Sequence, residues 1–266
     1  VDVSIKALLF DVDGTLADTE EAHRRAFNAA FAEMSLPFVW SVAEYEQLLL
    51  VAGGKERLSH FFSLQNLSIE EKTKLTALLP SLHRLKNEKY AELVAKGNAP
   101  FRPGVARLID EAEAAGVKVG LATTTSAENV TALLQAGLGA NADARFAVIA
   151  CGDVVKAKKP APDVYELALS KLSILPDEAI AFEDSEAGLS AAKSAGIFTV
   201  VTPTHWTRSQ NFDRADLNVP HLGDPSSPLN DEAAARAGGS MVTLETLRSI
   251  RNGETVSSSR KRVMPS

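Results

Sequence analysis

Short apolar runs alternate along this chain with segments of helical period. Ala7-Leu8-Leu9-Phe10 is an unbroken apolar run and predicts a buried strand. It gives way at once to Asp11-Val12-Asp13-Gly14-Thr15, where two carboxylates precede a glycine that permits a sharp turn. The alternation resumes after Phe101. A helix is predicted from Val105 to Ala115, stopped by Gly116, and a strand from Val117 to Ala122. Thr125-Ser126-Ala127-Glu128 reads as a capping box that opens the next helix. Strands are expected over Phe146–Ala150, Ala179–Phe182 and Phe198–Val201. Helices are expected over Asp163–Leu172, entered through Pro160 and Pro162, and over Glu186–Ala195, stopped by Gly196. Strands alternating with helices predict an α/β fold with a doubly wound parallel sheet.

One interval breaks the rhythm. A strand–helix–strand crossover takes about thirty residues, whereas roughly a hundred separate the first strand from the second. Those residues are helical in pattern. Ala22, Ala26, Phe27, Ala30, Phe31 and Met34 follow helical spacing, and Ser41–Leu50, Lys55–Phe62 and Ser68–Lys96 also read as helices. Gly53-Gly54 and Gly97 interrupt them. The pattern predicts an α-helical cap domain, residues 18–98, inserted into a core made of residues 1–17 and 99–224. Its linkers are expected near 17–19 and 98–103. Residues 225–266 read as a C-terminal extension: loop-like at Asp224–Pro228, small and polar from Ala233 to Gly239, and mobile at the basic run 257–262. That run reads as a solvated tail.

Composition narrows the partners. Apolar residues make up 45% of the 266, enough for a substantial core. The net charge of −6 argues against nucleic acid as a partner, but leaves room for a small anion held by local bases. No apolar run is long enough to span a membrane. Cys151 is the only cysteine, so no internal disulfide forms, which fits a reducing compartment. It reads as a small buried hydrophobe. A cytoplasmic location is expected. The chain begins at Val1, so residence in a plastid stroma after removal of a transit peptide is the alternative.

Candidate chemistry gathers at the strand ends, where open α/β sheets bind ligands. The first strand delivers Asp11 and Asp13, and the second delivers Thr123, Thr124, Thr125 and Ser126. The third leads to Lys156, Lys158 and Lys159, and the fourth ends at Glu183, Asp184 and Ser185. Several carboxylates in one place repel each other unless a cation sits among them. Oxygen ligands without histidine or thiolate suit Mg²⁺. With a lysine, hydroxyls and a helix N-terminus near Thr125, the set fits phosphoryl transfer.

Asp-x-Asp-Gly-Thr, a strand ending in Thr, Lys-Pro and Glu-Asp-Ser follow one another in the order of the haloacid dehalogenase superfamily, which this chain resembles. The helical insertion after the first motif is similar to the β-phosphoglucomutase-like subfamily, whose fold is a Rossmann-like core with a helical cap. The resemblance implies Asp11 as nucleophile and Asp13 as general acid and base. It implies Thr123 and Lys159 as phosphoryl holders, and Mg²⁺ bound by Asp11, the Asp13 carbonyl and Asp184, with Glu183 close by. An acid two residues after the nucleophile favours phosphate chemistry over carbon–halogen hydrolysis.

The cap offers Glu20, His23, Gly54, Lys55, Arg57, His60 and Lys86 as polar candidates, and several bases there imply a second anionic group on the substrate. His60 reads equally as a surface histidine, and His83 as solvated. The runs Thr19–Asn28 and Gly53–Arg57 resemble CbbY-type phosphatases. That likeness implies hydrolysis of xylulose 1,5-bisphosphate, an inhibitor of Rubisco, with Glu20, His23, Gly54, Arg57, Lys86, Thr124 and Thr125 around the substrate. Arg57 and Lys86 match positions that hold the distal phosphate or sugar. Gly53 stands where a mutase cap carries lysine, which disfavours the alternative of a phosphosugar mutase. A phosphoglycolate-type phosphatase is a further alternative that would leave the basic cap underused. The expected partner is a small phosphorylated sugar, and the expected state is a monomer.

Overall fold

The computed structural model describes residues 4–253, so the basic run 257–262 lies outside the described residues. β1 (Ala7–Phe10) runs through the middle of a six-stranded parallel sheet. It pairs with β2 (Lys118–Ala122) on one side and β4 (Ala179–Glu183) on the other. β3 (Val148–Ala150) lies beyond β2, while β5 (Phe198–Val201) and β6 (Leu217–Asn218) lie beyond β4. Leu8 is in register with Val119 and Ile180, and Phe10 with Leu121 and Phe182. β1 is buried on both faces, which is why its sequence shows no alternation.

Alternate residues feed two cores. Leu8, Phe10, Ile180 and Phe182 face Val105, Leu108 and Ile109 of α5 (Val105–Ala114) and Leu133 of α6 (Ala127–Leu138). Ala7, Leu9, Ala179 and Ala181 face Val164, Tyr165 and Ala168 of α7 (Asp163–Leu172) and Ala191 and Ala192 of α8 (Glu186–Ser194). The Phe10 and Phe182 rings stack at 4.3 Å.

Several boundaries differ from the sequence expectation. β2 starts at Lys118 because the Val117 amide closes the end of α5 on Ala112 O. β3 starts at Val148 because Phe146 N bonds Asp143 O in a 3-10 turn. The expected capping box at Thr125 does not form. The chain bends at Thr124 and Thr125, Ser126 is extended, and no side chain caps α6. β6 is two residues long, too short for a periodic signal.

The insertion folds as α1 (Glu20–Glu33), α2 (Val42–Leu48), α3 (Gly54–Leu64) and α4 (Ile69–Ala95). Ser41 with Glu44, and Ser68 with Glu71, form full capping boxes that fix two helix starts. Phe27, Phe31, Trp40, Tyr45, Leu58 and Phe62 fill the cap interior. The two linkers run side by side: Ala17 bridges Phe101, Asp18 N donates to Pro100 O at 3.1 Å, and Arg102 N to Leu16 O at 2.9 Å.

The C-terminal extension is more ordered than its loop-like, small-residue sequence implied. α9 (Asp231–Ala237) and α10 (Leu244–Arg251) bury Ala233, Ala237, Leu244 and Leu247 in the same core as Leu8 and Phe10. Ala233 and Ala237 fall four apart on one helix face, but alanines give too weak a contrast to mark it. Arg107 of α5 donates to Val242 O at 2.6 Å, and Glu111 accepts from Leu244 N at 2.9 Å.

Candidate active site

β1 delivers the acids. Asp11 N donates to Phe182 O at 2.9 Å, the last sheet bond before the chain turns. Gly14 then takes φ 80°, and its amide bonds Ala17 O at 2.9 Å. A side chain here would be doubly excluded, because a Cβ would stand 2.3 Å from Asp184 Oδ2. Gly14 thus lets the β4 acid approach the β1 acids.

Lys159 is the hub of the floor. Its ammonium donates to Asp11 Oδ1 at 2.5 Å and Ala122 O at 2.8 Å, and lies 2.6 Å from Glu183 Oε1. Tyr165 donates to the same Glu183 oxygen at 2.5 Å, and Lys159 lies 5.3 Å from the Tyr165 ring centroid. Burial alone would lower the Lys159 pKa, yet Asp11 and Glu183 outweigh it and raise it. Burial pushes Asp11 up to about 8, with Lys159 opposing and Glu183 reinforcing. Asp184 rises well above the carboxylate range through burial and the charges of Asp11 and Glu183.

Asp13 points the other way, into the cap. Its Oδ1 accepts from Thr19 Oγ1 at 2.7 Å and lies 2.9 Å from His23 Nε2. The other ring nitrogen, Nδ1, lies 2.8 Å from Lys86 Nζ. An ammonium can only donate, so Lys86 assigns the proton of neutral His23 to Nε2, facing Asp13. The Tyr90 ring stacks on His23 at 4.0 Å and fixes its plane. Burial lowers the His23 pKa, as does Lys86, so the ring is neutral. Burial also brings Lys86 down to about 7. Burial would raise Asp13, but His23, Thr19 and Lys86 together hold it below the usual range. Asp13 is therefore a carboxylate in this arrangement, ready to accept a proton. An arriving phosphoryl anion raises its pKa toward the acid form.

Core and cap enclose a cavity of about 500 Å³ between these groups. Asp11, Asp13, Lys159 and Asp184 line its floor, with Thr124, Thr125 and Ser126 along one side. Glu20, His23, Gly54, Lys55, Arg57, His83 and Lys86 line it from the cap. Tyr45 organises part of that roof: its hydroxyl donates to Glu20 Oε2 at 2.8 Å and accepts from Arg57 at 2.9 Å. Lys158 of the core pairs with Glu56 of α3 at 2.7 Å. A Cβ on Gly53 would meet both ends of that ion pair.

The structure sorts the sequence candidates. Thr123 and Glu183 are fully buried and do not line the cavity. Thr123 Oγ1 accepts from Thr125 N at 3.2 Å, so that amide is not free for an anion as the expected helix start implied. His60 is exposed and away from the cavity. His83, expected to be solvated, lines the cavity instead. Burial and the nearby Lys86 and Lys55 pull it down to about 4, which keeps it neutral. A Cβ on Gly54 would stand 3.0 Å from its Nε2, so Gly54 makes room for His83. Thr19, Tyr45, Tyr90 and Arg102 escaped the sequence reading. Thr19 sat among linker residues, and Tyr45 and Tyr90 fell inside expected helices with nothing to single them out.

The floor fits a hard divalent cation. Asp11, Glu183 and Asp184 each place a carboxylate oxygen within 4.8 Å of the others. Burial first, and then the neighbouring carboxylates, raise the pKa values of Asp11 and Asp184, so ionising all three acids here calls for more positive charge than Lys159 supplies. Glu183 is the least available of the three. Its Oε1 is held by Lys159 and Tyr165, and its Oε2 faces Gly188, where a Cβ would clash with it.

A parallel sheet with acids at its central strand end and a helical cap over them defines a phosphoryl-transfer class of hydrolase. A family profile described as haloacid dehalogenase-like hydrolase matches residues 5–196. Protein CbbY of Cupriavidus necator is 46% identical over 252 residues, covering 95% of this chain and 99% of its own length. The crystal structure of CbbY from Rhodobacter sphaeroides in complex with phosphate superposes with a TM-score of 0.75 at 45% identity, covering 84% of this chain and 98% of that one. A variant of that CbbY in complex with xylulose-(1,5)bisphosphate matches at TM-score 0.75 and 44% identity, with the same coverage. The chain belongs to the haloacid dehalogenase-like hydrolase family and, within it, groups with the CbbY proteins. It is an enzyme of the phosphatase type.

Proposed function

We propose that the enzyme hydrolyses a sugar bisphosphate, with xylulose 1,5-bisphosphate as the substrate, through a phosphorylated Asp11 and with Mg²⁺ as cofactor. The observation that carries this reading is the charge that lines the cavity from both sides. The core contributes Asp11, Asp13 and Lys159, and the cap contributes Arg57, Lys55, Lys86 and Glu20. A substrate with an anion at each end and hydroxyls between them suits that distribution of charge. The CbbY structure bound to xylulose-(1,5)bisphosphate supports the same choice.

Mg²⁺ would be held by the Asp11 and Asp184 carboxylates and the Asp13 carbonyl. When bound, it neutralises the floor and withdraws charge from the phosphoryl oxygens. In the first step an Asp11 oxygen bonds phosphorus as the sugar oxygen leaves. Protonated Asp13 gives that oxygen its proton. Lys159 lies against Asp11 and offsets the charge of the phosphoryl group. In the second step a water oxygen bonds phosphorus, Asp13 takes the water proton, and the Asp11–phosphorus bond breaks to release phosphate. His23 and Thr19 aim Asp13 throughout, and the closed cap keeps bulk water out.

A phosphate-release panel of sugar bisphosphates and monophosphates tests the reading, with and without Mg²⁺. Turnover of xylulose 1,5-bisphosphate is expected, lost in Asp11→Asn and after chelation. Glucose 6-phosphate formation from β-glucose 1-phosphate with a bisphosphate primer is expected to be negligible. Turnover confined to monophosphates would overturn the substrate assignment.

A further inference from the structure

The aromatic core of the cap contains a residue that belongs to the other domain. Trp206 comes from the loop after β5, yet it packs with Phe27, Trp40, Tyr45 and Leu58 and is 7% exposed. Its ring meets the Tyr45 ring edge-on, with centroids 5.7 Å apart at 87°. Tyr45 is the residue whose hydroxyl joins Glu20 to Arg57 at the roof of the cavity. Arg57 also lies over the Tyr45 ring at 5.2 Å.

The base of this contact is equally fixed. Trp206 N donates to Thr204 Oγ1 at 3.2 Å, and Thr204 N donates to Thr207 Oγ1 at 3.0 Å. Thr207 in turn donates to Asp184 Oδ2 at 3.4 Å. Thr202, at the root of the loop, donates its amide to Glu183 O at 2.7 Å. A continuous path therefore runs from the acids of β4, through a short turn, to the ring that backs the substrate-facing groups of the cap.

We propose that Trp206 is a positioning residue for substrate recognition: a core-borne ring that seats Tyr45, and through it Glu20 and Arg57, over the reacting centre. Neither Trp206 nor Tyr45 lines the cavity, so the effect is indirect. The inference rests on the sugar-phosphate reading above.

The test compares Trp206→Ala, Trp206→Phe and Tyr45→Phe with wild type on two substrates. One is xylulose 1,5-bisphosphate, and the other is p-nitrophenyl phosphate, which has no second phosphate or sugar hydroxyls to engage the roof. An edge-on aromatic pair and the hydrogen bonds behind it make the expected rise in KM for the bisphosphate about tenfold in Trp206→Ala. The kcat/KM for p-nitrophenyl phosphate should stay within about threefold, a split that general loss of structure would not produce. Trp206→Phe restores an apolar ring edge and should recover most of the loss. Tyr45→Phe keeps the ring contact and removes the hydroxyl, and should reproduce the KM rise.

Equal losses on both substrates, or no change on either, would overturn the proposal. If Trp206→Ala does not fold, an unchanged bisphosphate KM in Tyr45→Phe overturns it, because the positioning runs through that hydroxyl. A wild-type enzyme inactive on the bisphosphate defeats the substrate reading instead. The same variants are then compared on the panel sugar phosphate turned over fastest, where the same split is required.

Discussion

Arg102 sits where the second linker re-enters the core and holds together segments far apart in sequence. One terminal nitrogen donates to Gly14 O at 2.5 Å, to Thr202 Oγ1 at 2.9 Å and to the Thr202 carbonyl. The other donates to Pro203 O at 3.1 Å and Pro220 O at 2.7 Å. The residue is 8% exposed, and burial lowers its pKa without removing its charge. Arg102→Leu keeps part of the aliphatic bulk and strands the acceptors. Hydrogen bonds to a charged donor contribute about 1.5–3 kcal/mol each, but desolvating the guanidinium offsets several kcal/mol of that sum. Breaking such a buried set costs about 3–5 kcal/mol. For a chain of this size that lowers the Tm by roughly 6–20 °C. Arg102→Lys keeps the charge and some donors, and should fall between wild type and Arg102→Leu. Thermal melts followed by circular dichroism measure both. Because Gly14 O is among the acceptors, Arg102→Leu should also lose activity below its melting range, through displacement of the Asp13–Gly14 turn. A Tm for Arg102→Leu within about 2 °C of wild type would show that water replaces the guanidinium freely, and would refute the reasoning.

Other outcomes follow from the site. Asp11 has a folded-state pKa of about 8 against an ordinary 3.8, so without a cation its ionisation costs more in the folded protein. Stability of the cation-free protein should fall as pH rises from 3.8 toward about 8. Mg²⁺ displaces that proton, so its stabilisation in thermal melts should be larger at high pH than at low, and an equal effect would count against the site. Lys86→Met frees His23 from its fixed tautomer and should cut kcat about 10- to 100-fold in steady-state kinetics; an unchanged kcat removes the pair from the proton path. Gly14→Ala drives a Cβ against Asp184 at a positive φ, and should abolish stabilisation by Mg²⁺ even where the protein still folds. Tyr165→Phe removes one bond to Glu183 and should lower stability by about 1 kcal/mol in urea titrations; no change would mean that Lys159 alone holds that carboxylate.

The sequence alone determined the parts whose signal is local. An apolar run that gives way to acids marks a strand end, and that local signal put Asp11, Asp13 and Asp184 among the candidates. The helix starts at Ser41 and Ser68 and the glycines after helices marked element ends for the same reason, and the structure closes those two starts with capping boxes. Lys159 was legible as a site residue, but its saturation by Asp11, Glu183 and Ala122 was not. That depends on β1, β2 and β4 pairing side by side, which brings Asp11, Ala122 and Glu183 within reach of one ammonium.

The tertiary structure decided everything that joins distant segments. His23 reads as one of several cap polar residues until the fold sets Asp13 on one of its nitrogens and Lys86 on the other. His83 looked solvated because the cavity that receives it is built from two domains. Arg102, Tyr45 and Trp206 carry no local pattern at all. Each acts by filling a gap between elements, and such gaps exist only after packing. Sequence periodicity reports which face of an element is buried, while the partner across that face is fixed by close packing of side chains.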